Sequence, residues 1–274
     1  MQNLFIIYKP QGGKKPMDNA SDKFFFTGTE TEITEQAVAF IIAEAYRAVS
    51  DHGRFSLVLA GGNSPRSLYR QLAKGVANNE RAASKGERTF MPWKKTWLFW
   101  GDERSVPADH QDSNYQMARE PLLSQVPVPE NHIFRMPAEQ DDGNKAAREY
   151  EETLRSFFIA RDSLSEQDFP IFDLVILGLG DDGHTASLFP DNAEALQETE
   201  RWVVSVSEPL AKPPGKRLTL TLPAINHARN VLFFTIGREK AGLAKRIFSA
   251  EEKGVPASRI VPVNGKTFWF TVQL

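Results

Sequence analysis

Asp182 and His184 lie close together at the end of the run Gly178-Leu179-Gly180-Asp181-Asp182-Gly183-His184. A carboxylate beside an imidazole orients and polarises the ring, which is how a general base is prepared. The spacing is equally compatible with a histidine that only satisfies its own surroundings. The glycines also spell G-x-G-x-x-G, a pattern of dinucleotide sites. That reading fails, because Asp181 and Asp182 would oppose a pyrophosphate and Pro190 cuts short the helical turn expected over 185–189.

A second chemical signal is Gly61-Gly62-Asn63-Ser64-Pro65-Arg66. Glycines let the backbone approach an anion, and free amides at the start of a following helix add donors and partial positive charge. A tight turn with Ser64 as helix cap and nothing bound fits the same residues. No lysine stands where a nucleoside-triphosphate loop needs one, so that ligand class is disfavoured. Arg104, in Gly101-Asp102-Glu103-Arg104, reads first as part of a surface salt-bridge cluster of little energetic worth. Arg217 and Lys240 read singly as solvated charges. Together with the glycine turn these three cations could form an anion pocket.

The elements that must position these residues are visible in the hydrophobic pattern. Val38, Ile41, Ile42, Ala45 and Val49 recur at helical spacing and predict a helix over 34–49. Buried strands are predicted at 55–60, 96–100 and 172–177, each running into one of the three loops above. A helix follows Ser64-Pro65 to Lys74, another follows Ser113, and a longer one covers 146–159. Further strands are predicted at 202–205, 217–222, 230–236 and 267–272, with a helix at 240–248. Alternating strands and helices argue for a mostly parallel sheet with helices on both faces. In such a sheet ligands bind beyond the carboxyl ends of the strands, where all three loops emerge. The polar stretch 76–95 has little periodicity and reads as a solvated, mobile loop insert with fraying helix ends.

The chain of 274 residues has no Pro/Gly/Ser linker and no repeat, so one domain over 1–274 is expected. Thirty-three Lys and Arg against thirty-five Asp and Glu is too balanced for a general nucleic-acid or membrane-surface binder. The sequence has no cysteine, which removes disulfides, thiolate catalysis and cysteine-ligated metal. The histidines at 52, 110, 132, 184 and 227 show no metal-binding spacing, and no metal site is expected. The apolar run 4–8 is too short for a signal segment, so the expected compartment is the cytoplasm.

The wording of the segments carries more than their chemistry. AGGNSPRSLY, WGDERSVPADHQDSNYQM, LGLGDDGHTASLFP, GKRLTLTLPAINHARNVLFFTIGREKA and the tail GKTFWF resemble, in order, the blocks of the 6-phosphogluconolactonase family. The resemblance implies a Rossmann-like α/β fold shared with the sugar-phosphate isomerase/deaminase superfamily. It implies hydrolysis of 6-phospho-D-glucono-1,5-lactone to 6-phospho-D-gluconate, in the oxidative pentose phosphate pathway, without metal or organic cofactor. By the same resemblance His184 is the general base, Asp182 orients it, and Arg104 stands at the substrate. Gly61, Gly62, Asn63, Ser64, Arg217 and Lys240 fall among positions associated with the phosphorylated ligand. The implied partner is a phosphorylated sugar lactone, and a monomer is expected. Asp191 departs from the family, where a glycine is common. The competing reading is a glucosamine-6-phosphate deaminase, whose Asp-Gly-His is followed by Ile-Ala-Phe-Asn-Glu-Pro. Thr185-Ala186-Ser187-Leu188-Phe189-Pro190 lacks that acid. A non-catalytic sugar-phosphate sensor is the third reading.

Overall fold

Strands that are apolar on both faces need cover on both sides. In the computed structural model, which describes residues 22–77, 82, 84–162, 165, 168–209, 211, 213 and 215–273, such strands form the middle of a seven-stranded sheet. The strands are β1 (Lys23–Gly28), β2 (Phe55–Leu59), β3 (Thr96–Trp100), β4 (Asp102–Arg104), β5 (Ile133–Phe134), β6 (Leu174–Leu177), β7 (Val203–Glu208), β8 (Gly215–Leu220), β9 (Asn230–Thr235) and β10 (Lys266–Val272). The helices are α1 (Glu30–His52), α2 (Pro65–Lys74), α3 (Asn114–Arg119), α4 (Gly143–Asp162), α5 (Ala193–Gln197), α6 (Leu222–Asn226) and α7 (Arg238–Phe248). The large sheet runs β1-β10-β9-β6-β2-β3-β5, and all its pairs are parallel. A small antiparallel sheet, β4-β8-β7, continues from the carboxyl end of β3.

Alternation along β1 shows how both faces are covered. Phe24 and Phe26 stack on Phe268 and Phe270 of β10, against which Phe40 of α1 packs, whereas Phe25 meets Phe248 of α7. Successive strand residues point to opposite faces, so α1 and α7 lie on opposite sides of the sheet. The α1 helix is closed at both ends. Thr29 and Glu32 form a reciprocal capping box, and Gly53 ends the helix at φ 83°. On the β3 side Phe99 packs against Phe134, Phe157, Phe158 and Phe172.

Several expected boundaries shift. Strand β6, expected from 172, begins at Leu174, because Phe172 lies before it in the core and Asp173 is used as a tie. The Asp173 carboxylate accepts from Ser56 N and Oγ, both at 2.8 Å, and meets His52 Nε2 at 2.9 Å. Strand β8 stops at Leu220, since Thr221 caps α6 and Pro223 occupies its first turn. The stretch 76–95 is not solvated throughout. Val76 pairs with Thr89, and Val76, Ala82, Met91 and Trp93 are buried, the last in a 3-10 turn leading into β3. The apolar run 4–8 lies outside the described residues. Among the described residues no helix is long and apolar enough to cross a membrane.

Candidate active site

The glycine loop leaves β2 at Ala60, whose N–H and C=O are both tied at 2.8 Å to the Tyr69 hydroxyl of α2. Burial pushes the Tyr69 phenol well above its usual value, so it serves as a neutral two-way tie. Gly61 is required by a neighbour, because a Cβ there would overlap the Asn114 amide. Gly62 has φ 86°, a conformation that favours glycine. Ser64, expected as a helix cap, has helical backbone angles and its side chain makes no capping bond. Its hydroxyl is therefore not consumed by α2.

The Asp102-Glu103-Arg104 motif is not a surface cluster. Asp102 and Glu103 are buried at 7% and 4% exposure. Glu103 accepts from Asn114 N (2.6 Å), Arg104 N and Tyr115 N (both 2.8 Å) and Ser113 Oγ (2.9 Å), anchoring the start of α3. Burial raises its carboxyl above the usual value, with these donors pulling the other way. Arg104 Nη1 donates to the Asp112 carbonyl at 2.7 Å, and the β4-β8 register sets Arg104 opposite Arg217. Arg217 is 4% exposed, lies 5.7 Å over the Phe189 ring and donates to the Pro213 carbonyl. Burial lowers its guanidinium pKa; Asp102 opposes that shift and Arg104 adds to it. Arg104 Nε and Arg217 Nε are buried with no hydrogen-bond partner among the described residues. Each of these buried donors is available to an anionic group in the cleft.

The third loop leaves β6. Thr185 Oγ1 donates to the Gly178 carbonyl (2.8 Å), Gly180 N to the His184 carbonyl (2.9 Å), Gly183 N to the Gly180 carbonyl and Ala257 N to the Gly183 carbonyl (both 3.0 Å). Within this frame Asp182 Oδ1 accepts from His184 N at 3.0 Å and Nδ1 at 2.5 Å. A carboxylate acceptor at Nδ1 fixes the proton there and leaves the Nε2 lone pair free. Burial pushes the Asp182 carboxyl up, but the His184 ring and main-chain hydrogen bonds outweigh it and hold the group below its usual value. A Cβ at Gly180 would overlap the His184 ring. Phe189 packs on that ring with centroids 4.5 Å apart. The segment after His184 is a tight turn, not a helical one: Thr185 bridges Leu188, and Ala186 takes φ 49°.

All the sequence-derived candidates border one cleft of about 640 Å³. Gly61, Gly62, Asn63 and Ser64 come from the glycine loop, Arg104 and Arg217 from the small sheet, Asp182 and His184 from the third loop, and Lys240 from the first turn of α7. Arg66, Asp191 and Glu208 line it too. Phe189, which reads in sequence as an ordinary apolar residue before a proline, touches both His184 and Arg217 and was not singled out.

A cleft at the carboxyl ends of a parallel sheet, holding an imidazole–carboxylate pair and clustered cations, is that of an α/β protein whose site suits an anionic ligand beside a base. The chain belongs to the glucosamine-6-phosphate isomerases/6-phosphogluconolactonase family, whose model matches residues 28–269. Within it the chain is similar to the 6-phosphogluconolactonase of Synechocystis, 39% identical over 88% of this chain and 91% of that one. The human 6-phosphogluconolactonase is 41% identical over 79% of this chain and 78% of that one. The crystal structure of the Thermotoga maritima 6-phosphogluconolactonase superposes with a TM-score of 0.73, at 28% identity, covering 92% of this chain and 99% of that one.

Proposed function

We propose that the protein hydrolyses 6-phospho-D-glucono-1,5-lactone to 6-phospho-D-gluconate. The observation that carries this reading is the Asp182–His184 pair facing the same cleft as the opposed arginines Arg104 and Arg217. His184 Nε2 takes a proton from water as the water oxygen attacks the lactone carbonyl. The tetrahedral intermediate collapses with cleavage of the bond to the ring oxygen, which receives that proton from the imidazolium. Asp182 keeps the ring in the required tautomer through both steps. Gly180 and Gly183 N–H are already engaged within their own turn, so the developing oxyanion is met by Arg104 or by the other backbone N–H groups of the 178–183 turn. The phosphate, remote from the reacting carbon, is held by the glycine loop, Ser64, Arg217 and Lys240.

The relatives' names support the same reaction. The deaminase alternative is disfavoured because 185–190 places no carboxylate between His184 and Pro190. Proton release from freshly generated lactone, measured against a protein-free blank, tests the proposal. Hydrolysis at the blank rate overturns it.

A further inference from the structure

One buried side chain on the small sheet is linked to both the turn after His184 and, through Asn114, the glycine loop. Asp102 Oδ2 accepts from Ser187 Oγ at 2.7 Å, on the turn that follows His184. Its Oδ1 accepts from Asn114 Nδ2 at 2.9 Å, and the same amide donates to the Asp102 carbonyl at 2.8 Å. Asn114 in turn fills the space against Gly61 that a Cβ would occupy. On β4, Asp102 shares a face with Arg104 and stands opposite Thr219, whose hydroxyl accepts from Ser187 N at 3.2 Å. Its charge also acts on Arg217. Ser187 and Asn114 are fully buried.

We propose that Asp102 is a positioning residue that sets the His184 loop, the glycine loop and the arginine pair in one geometry. This rests on the reading of the cleft given under Proposed function. A buried carboxylate is costly unless its oxygens are hydrogen-bonded; here Oδ2 is bonded to the turn after His184, and Oδ1 to Asn114 at the start of α3, whose amide packs against Gly61 of the glycine loop. Removing the Ser187 hydroxyl releases the loop that carries His184 and leaves the glycine loop in place. Removing the Asn114 amide does the reverse. Small displacements of catalytic groups cost rate steeply, whereas a displaced anion loop costs affinity.

The test compares Ser187→Ala, Asn114→Ala and Asp102→Asn by kcat for the lactone, affinity for 6-phosphogluconate by calorimetry, and Tm. Ser187→Ala is expected to lower kcat about 10-fold and Asn114→Ala to weaken affinity about 10-fold, each leaving the other quantity within about twofold. Asp102→Asn lowers both, and adding Ser187→Ala to it gives no further loss of kcat. Losses of Tm with kcat and affinity unchanged in all three variants overturn the proposal, as do fully additive losses in the double variant. Should Asp102→Asn fail to fold, the split between the two other variants decides. If the wild type hydrolyses lactone no faster than the blank, the reaction falls. The affinity measurements then decide the role of Asp102 alone, and unchanged 6-phosphogluconate binding in Asn114→Ala and Asp102→Asn overturns it.

Discussion

Arg104 and Arg217 face each other directly across the antiparallel pair of β4 and β8. Like charges in that position destabilise a sheet, and burial of Arg217 adds a desolvation cost. Each side chain also leaves a buried Nε without a partner among the described residues. Asp102 offsets part of this cost at Arg217, and an anionic ligand in the cleft would offset more.

Arg217→Met is therefore expected to weaken binding of 6-phosphogluconate by about 30-fold, corresponding to loss of a charge-assisted contact worth ~2 kcal/mol. Its Tm stays level or rises, because the facing positive charge is gone. Calorimetry and thermal unfolding check the two halves, and in kinetics KM should rise by more than kcat falls. Undiminished affinity would move the phosphate anchor away from this residue.

His184→Ala should lower kcat by about 100-fold or more, as for loss of a general base, with an unaltered circular dichroism spectrum. Turnover at the wild-type level would place the base elsewhere.

The Asp182–His184 contact gives a pH signature. The Asp182 carboxyl lies below its usual value in the folded protein. A depressed carboxyl contributes stability above its unfolded-state pKa and loses it as pH falls through the lower folded value. The stability gap between wild type and Asp182→Asn should thus be present at neutral pH and close as pH falls below about 4. Denaturant unfolding at several pH values measures it, and a gap independent of pH would count against the assignment.

Gly180→Ala should cut kcat by about 100-fold, since the added Cβ meets the imidazole ring and must displace it. The imidazole resonances of His184, assigned by their loss in His184→Ala, should move in the NMR spectrum. Resonances and turnover like the wild type would show that the turn absorbs the methyl group.

Ala186→Gly tests backbone strain. Ala186 holds φ 49° in a two-residue turn, where an L side chain costs about 1–2 kcal/mol. Part of the relief is offset by the greater freedom of glycine in the unfolded chain. A net gain of about 0.5–1 kcal/mol in denaturant unfolding is expected, and a loss would assign the Ala186 methyl a packing role.

The three site loops were legible because each follows an apolar strand and breaks it with glycine. Strand β3 was read at its observed limits for the same reason. The small sheet was not legible. Asp102-Glu103-Arg104 has too few residues to show a period, and acids in sequence read as solvated; only the donors from Ser113, Asn114, Tyr115 and Ser187 explain their burial. Strand β1 is not legible in the sequence, because Phe24, Phe25 and Phe26 form an unbroken apolar run that serves both faces of the sheet and shows no period. Meeting of Phe189 with both His184 and Arg217 depends on how β8 returns past the third loop, which local pattern does not encode.

Among the described residues strand β1 pairs only with β10, Lys23 beside Thr267 and Gly28 beside Val272. During synthesis the earliest of the described strands must therefore wait for the latest. Until β10 emerges, three adjacent phenylalanines remain without their edge, and closing a loop of nearly the whole chain carries the entropic cost of a distant contact. Between translation of β1 and of β10 the apolar edge of β1 has no strand to pair with, the kind of transiently exposed edge that favours aggregation.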